Sequence, residues 1–454
     1  MNQHADTAYN PITQGSLIKE ILKFSLPIFI GTILQTLYNL VDVVTLGQFV
    51  GKEAYSAVGG STSTIINLLV GFFVGISSGA TVLIAQKYGA GDEKGTSDAI
   101  HTAAAFCLAI SLFLTVVGLL TSRISLLWLN TPEDILPYAL TYIRIYYCGI
   151  LFNLVYNIGS SILRALGNSK RPLYILMACS FSNIIIDLFF VVVLHMDTAG
   201  VALATVLSQA LSATLVVIIL VRTKGPFRLY FSKIRFHGYI LRPMMRIGIP
   251  AGLQSSMFGI ANLLVQYTVN GFGTDVVAAF TAYRNVDALH WMILNAFGIS
   301  ASTFVGQNLG AGNRDRVFKS VRISLLLALG GVVLLAVPAL LFRFPVASIF
   351  TTDRNVIYIA ADMMIHALPF YVFYVLIEVL SGAARGAGDS LAPMLITTIG
   401  ICVVRVIWLT VAVPFTGDYN TIVECYPVTW VITGSVYFIY YRSRRWLRHF
   451  PEMK

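Results

Sequence analysis

The sequence predicts an all-α polytopic membrane protein with twelve transmembrane helices arranged as two parallel six-helix repeats. Composition, the length of the apolar blocks and an internal repeat together carry this expectation. Of 454 residues, 57% are hydrophobic and 11% charged, against roughly 25% charged residues in soluble domains. A chain of this composition cannot cover itself with a water-compatible surface. No long polar stretch separates Phe24 from Tyr441. The apolar residues come in blocks of roughly 20 to 30, enough at about 1.5 Å per residue to cross about 30 Å of hydrocarbon with some tilt.

Six blocks make the first half, at 24–50, 54–85, 99–120, 135–162, 173–194 and 200–221. The second half repeats the count, at 247–272, 276–305, 317–342, 356–383, 391–415 and 421–441. Helices are expected because lipid offers no partner for an unpaired backbone amide, and the blocks lack the short alternating pattern of a barrel. The halves define an N-lobe over 1–225 and a C-lobe over 226–454, joined by a polar connection at about 222–246.

Orientation follows from Lys and Arg in alternate loops. Of 31 such residues, 24 fall on one side, from Lys19 and Lys23 through the run 222–246, which includes Lys224, to the tail ending at Lys454. Lys52, Arg123, Arg343 and Arg354 lie on the other, and Arg144, Arg284 and Arg405 lie within the blocks. Both termini are therefore expected in the cytoplasm. The net charge of +10 sits at membrane edges, so its partner is anionic lipid and no nucleic acid is expected. The five cysteines are scattered singly, with no metal-binding spacing or disulfide framework. The polar stretch 1–16 precedes an apolar block too long for a signal-peptide core, so no cleavage is expected.

Self-similarity is the strongest single feature. QKYGAG at 86–91 matches QNLGAG at 307–312, Thr131 matches Thr352, and RALGNSKRP at 164–172 matches RGAGDSLAP at 385–393, all at an offset of 221. Pro27 pairs with Pro250 at an offset of 223. Six spans per half is an even number, so both halves enter from the same side and are related by an axis along the membrane normal. Such parallel repeats belong to transporters with a central site between the bundles. Features shared by both halves read as scaffold. Gly89, Gly91, Gly310 and Gly312 are expected at helix ends, where glycine permits a left-handed cap, and no GxxxxGK[ST] phosphate loop occurs. Arg164 and Arg385 are likewise expected at cytoplasmic helix ends, satisfying terminal carbonyls.

Features in one half only read as task-specific. A carboxylate at mid-bilayer costs a few kcal/mol, so it is expected to face a cavity and to act there. Asp42 on span 1 and Asp187 on span 5 have apolar counterparts in the second half. Asn183 lies one helical turn before Asp187, and Thr205 on span 6 can add a hydroxyl. Two carboxylates, an amide and a hydroxyl form an oxygen shell that suits Na⁺, with Asp42 and Asp187 as its metal ligands, or a proton held by a desolvated carboxyl pair. Residue types alone leave both open. The second half carries Arg284, Asp287 and His290 on span 8, Asp362, His366 and Glu378 on span 10, and Arg405 on span 11. Arg284 and Asp287, three apart, are expected to neutralise each other. Glu378 aligns with Asn157. Tyr38, Asn153, Asn157, Arg284, Asp287 and Glu378 are the candidates for lining a substrate cavity. His290 and His366 stand alone in sequence and no HExxH occurs, so an embedded hydrolase is not expected.

At these residues the chain resembles the multidrug and toxic compound extrusion (MATE) family. The resemblance spans the whole chain: SLP at 25–27, VD at 41–42, QKYGAG, RALGNSKRP, N-x-x-x-D at Asn183 and Asp187, GVALAT at 200–205, and RGAGD. It implies a V-shaped twelve-helix antiporter of bacterial type, resident in the plasma (inner) membrane, that exports organic cations and other amphipathic compounds against inward H⁺ or Na⁺. It implies a cation site at Asp42, Asn183, Asp187 and Thr205, no cofactor beyond the coupling ion, small-molecule and lipid partners, and a monomer. Two departures stand out. The family's fifth-span motif usually continues Asp-Pro, whereas Leu188 follows Asp187, and no acid lies between Ile247 and Phe272, where some members carry a C-lobe glutamate. A lipid-linked precursor or polysaccharide flippase is the alternative of like architecture, for which a strongly basic cavity would be expected.

Overall fold

The computed structural model describes residues 10–223, Gly225, 227–448 and Phe450, with the side chain of Ser61 excepted. Lys224, Lys454 and the extreme termini, which enter the lobe and orientation expectations, lie outside the described residues. Among the described residues twelve long helices follow one another: α1 (Leu17–Phe49), α2 (Lys52–Gly89), α3 (Glu93–Trp128), α4 (Leu136–Ala165), α5 (Lys170–Val193) and α6 (Asp197–Arg222). They continue as α7 (Gly238–Asn270), α8 (Thr274–Gly310), α9 (Arg314–Leu341), α10 (Arg354–Gly386), α11 (Leu391–Thr416) and α12 (Tyr419–Arg442). Among the described residues, eleven of these are long and apolar enough to cross a membrane. The other, α1, matches them in length with 33 residues. Several helices run beyond their apolar blocks, and α3, α10 and α12 begin on an aspartate whose side chain caps the first turn. At α3, for example, Asp92 accepts from the Gly95 N–H at 2.8 Å, and that bond with Lys87 at 2.9 Å holds the Asp92 carboxyl below its usual range.

Contacts divide the chain into two compact units. One contains the described residues up to Phe29, Gly89–Gly91 and everything from Leu253; the other contains Ile30–Tyr88 and Asp92–Gly252. Two cuts set off Gly89–Gly91, and the other two fall within α1 and α7, just after Pro27 and Pro250. They are 223 residues apart, the same offset that separates the two prolines. Proline removes an intrahelical hydrogen bond and crowds the preceding turn, so the chain passes between units where each helix is weakest.

In the Leu253-containing unit, a short helix Pro11–Gln14 docks on the end of α8. Arg316 donates to the Ile12 and Gly15 carbonyls at 2.9 and 2.8 Å, Asn10 donates to Gln307 at 3.0 Å, and Phe24 meets Phe304 edge-on at 5.7 Å. In the other unit, the chain between α6 and α7 is pinned to α3. The Tyr230 N–H donates to His101 Nε2 at 3.0 Å, His237 Nδ1 lies 3.1 Å from the Thr102 hydroxyl, and Tyr239 donates to Asp98.

The repeat's glycines serve two purposes. Gly91 and Gly312 hold left-handed backbone, with φ of +69° and +73°, as expected of helix-end caps. Gly89 is needed for close approach, since a Cβ there would sit 2.0 Å from the Gln307 carbonyl oxygen. Arg164 and Arg385 both sit in the last turn of their helices as expected, but the partners are side chains: Arg164 donates to the Ser161 hydroxyl at 3.1 Å, and Arg385 pairs with Glu378 at 3.7 Å. In both cases a side-chain acceptor one or two turns earlier on the same helix is within reach.

Where α2 crosses the start of α7 the backbones nearly touch, and a Cβ on Gly79 would lie 2.2 Å from the Met244 carbonyl oxygen. Small residues at such crossings let helices in lipid gain packing that the hydrophobic effect does not supply there. Gly79→Leu is expected to destabilise the protein by about 1–3 kcal/mol, read as a lower Tm in detergent. Gly330→Ala, whose Cβ meets nothing within 4 Å, should leave Tm unchanged or slightly higher.

Candidate functional site

The sequence places acids, amides and hydroxyls on α1, α4, α5 and α6, and the unit spanning 30–252 brings them together. Asp42 on α1 is 4% exposed; Asn183 and Asp187 on α5 are 1% and 0% exposed. The Thr205 hydroxyl on α6 donates to Asp42 Oδ2 at 3.3 Å. Asp42 lies within electrostatic reach of Asp187. The helix holding Asp187 widens into a π-turn at Phe189–Val193, although Leu188 and not proline follows Asp187. Such turns free backbone groups and re-aim side chains.

What distinguishes the cluster is its unmet hydrogen-bonding capacity. Asp42 Oδ1, both carboxylate oxygens of Asp187 and both amide atoms of Asn183 are buried without a partner. Orphaned buried carboxylate oxygens are costly, and two facing carboxylates cannot both stay ionised without a cation between them. Oxygen donors alone surround the space, which favours a hard monovalent ion or a proton over a transition metal. Among the described residues no group of three or more His, Cys, Asp or Glu is arranged to hold a metal. One further hydroxyl escaped the sequence reading. Thr45, one turn after Asp42 and 3% exposed, lies beside Asp187. Its three-residue spacing from Asp42 was the available signal.

A small cavity opens against this cluster and shares Asn183 and Thr205 with it. Tyr38, Asn153 and Asn157 line it, joined by Gln35, Tyr156 and Gln209. Asn157 donates to the Asn153 side-chain oxygen at 2.9 Å, so the two amides act as one fixed polar patch. No lysine, arginine or acid lines the cavity. Its wall of amides, phenols and small hydroxyls can both donate and accept, with apolar faces between.

The second-half candidates belong to the other unit and do not form one cluster. Glu378 pairs with Arg385. Asp287 accepts from Tyr283 at 3.3 Å and from Tyr371. Arg284 stays within electrostatic reach of Asp287, but it is exposed and among the described residues no ion pair within 4.0 Å joins them. Tyr371 comes from α10, 84 residues away, and supplies on the buried side what Arg284 would have supplied from the exposed one. His366 is not isolated either, lying 4.0 Å from both Asp362 and Glu424.

A family model described as MatE matches residues 27–189 and again 250–410. The two matches repeat the 223- and 221-residue offsets of the internal repeat at their starts and ends. A Bacillus subtilis protein named "Probable multidrug resistance protein YpnP" is 29% identical over 442 residues, covering 96% of this chain and 97% of that protein. A Thermotoga maritima protein named "Probable multidrug resistance protein NorM" is 27% identical over 394 residues, covering 85% and 84%. Crystal structures of MATE in the straight and bent conformations superpose with TM-scores of 0.88 and 0.89 at 21% identity. They cover 96% and 95% of this chain, and 97% and 96% of those chains.

Thr45→Val removes a single oxygen beside Asp187. If the cluster holds a cation, its binding should weaken roughly 5- to 30-fold, the equivalent of about 1–2 kcal/mol. The readout is the midpoint of cation-dependent thermal stabilisation, with Na⁺ and proton titrated separately. An unmoved midpoint would remove Thr45 from the shell.

Proposed function

Because this chain belongs to the MatE family, we propose that it expels amphipathic and cationic small molecules in exchange for H⁺ or Na⁺ taken up at Asp42 and Asp187. It is a multi-pass membrane transporter and not an enzyme. The observation that carries the exchange is the run of buried, unpartnered oxygens on Asp42, Asn183 and Asp187 directly beside a cavity that shares Asn183 and Thr205. A cation drawn into that shell recruits the same amide and hydroxyl that a substrate in the cavity would use. Occupancy of one therefore weakens the other, and linkage makes the effect equal in both directions.

The backbone around the shell can transmit the change. Asp42 stands on a helix with Pro27 inside it, and Asp187 immediately precedes a π-turn. Both are recognised places for a helix to bend. A cation that draws the two carboxylates together shifts α1 against α5 and alters the cavity wall. One chain carries both cavity and cation shell, so a monomer suffices. The flippase alternative finds no support in this cavity, which lacks the basic side chains a lipid-linked phosphate needs.

Proteoliposomes loaded with a fluorescent organic cation test the proposal under separately imposed Na⁺ and pH gradients. One gradient, or both, should drive transport, and Asp42→Asn or Asp187→Asn should lower gradient-driven transport at least tenfold, about 1.4 kcal/mol or more. Undiminished coupled transport in both variants would refute it.

A further inference from the structure

The unit containing Leu253 buries a cation that has no anion. Arg405 on α11 is 2% exposed. Its guanidinium donates to Asn262 at 3.1 Å and lies over the Tyr426 ring, 4.6 Å from its centroid, while its Nε is buried without a partner. A guanidinium out of water ordinarily takes a carboxylate. The carboxylate within electrostatic reach is Asp287. Yet among the described residues no ion pair within 4.0 Å joins them, and Asp287 is held instead by the phenols of Tyr283 and Tyr371.

Aromatic rings crowd the surroundings and are themselves buried. Tyr371 and Tyr426 flank Trp430 at 4.6 and 5.5 Å between ring centroids, and Tyr283 lies 6.4 Å from Tyr426. Several electron-rich faces around one carboxylate form the arrangement that recognises organic ammonium and phosphonium groups. Asp287 is only partly buried, which leaves it approachable. The internal repeat adds an independent sign. At the offset of 221 the first half has Ile184 where the second has Arg405, so the arginine is not part of the shared scaffold.

We propose that Arg405 is a tethered cation occupying a second organic-cation site, built by Tyr371, Tyr426 and Trp430 beside Asp287, and that a cationic substrate binds there by displacing the guanidinium. The proposal rests on the reading of this protein as an exporter of amphipathic cations, and it adds a site in the other unit. A guanidinium on a neutral amide and a ring can leave, whereas one locked to a carboxylate would not. Arg405 thereby sets a threshold: weakly interacting cations fail to displace it, and large aromatic ones succeed.

The test is equilibrium binding of tetraphenylphosphonium to the purified full-length protein. Arg405→Gln and Arg405→Met both remove the competitor and should tighten binding about tenfold or more, whereas Arg405→Lys should stay near the parent affinity. Adding Asp287→Asn to either neutral variant should reverse the gain. The two neutral variants differ in polarity and bulk, so poor folding of one, seen in its Tm, leaves the other to decide. Unchanged or weaker binding in the folded neutral variants overturns the proposal, as does a gain that survives Asp287→Asn. If Arg405→Gln binds tightly while neither gradient drives transport in the parent, the site stands and the exporter reading falls.

Discussion

A carboxylate placed inside a membrane-spanning helix has to be neutralised, and the rest of this protein is organised around that requirement. Asp42 and Asp187 are buried with three oxygens between them lacking partners. The protein supplies the Thr205 hydroxyl to Asp42 and sets the Thr45 hydroxyl beside Asp187, with no basic group at either among the described residues. An incomplete shell is what a reversible ion site requires: full satisfaction by protein donors would remove the reason to bind a cation, and a basic partner would remove the ability to release it.

The two halves of the repeat answer the same electrostatic problem differently. Among the described residues of the unit spanning 30–252, the acids stand without a basic partner beside a polar cavity. In the other unit the cations are built in: Arg385 sits 3.7 Å from Glu378, and Arg405 rests in an aromatic setting near Asp287. The scaffold beneath is common to both. Left-handed Gly91 and Gly312 close equivalent helix ends, and the chain passes between units at positions 223 residues apart, just beyond Pro27 and Pro250. Duplication supplied the frame, and unshared charges gave each half its own chemistry.

Much of this was legible in the sequence because the bilayer imposes strong rules. Block length and constant spacing revealed twelve helices and the repeat, and the cost of a buried acid singled out Asp42 and Asp187. Single hydroxyls were harder to read. Ser77 and Ser111 each spend their hydroxyl on the carbonyl four residues back, as helix serines commonly do, and only the three-residue spacing from Asp42 separates Thr45 from them, while Ser180 and Ser208 of the cavity wall carry no such sign. The error at Arg284 has a similar origin. A three-residue spacing suggested a pair with Asp287, but the competing phenol of Tyr371 comes from a distant helix and leaves no trace in local spacing. The cuts within α1 and α7 were also hidden, since a continuous helix gives no compositional sign of where its packing partner changes.

The central claim is that cation and substrate compete through shared groups around Asp42 and Asp187. Its most direct test is the dissociation constant of one organic cation measured in detergent across Na⁺ concentration and pH, in the parent protein and in the Asp42→Asn, Asp187→Asn double variant. The account predicts that the coupling ion weakens substrate binding about 5- to 150-fold in the parent, a coupling of about 1–3 kcal/mol, and has no effect in the double variant. A substrate affinity indifferent to both ions in the parent would contradict it.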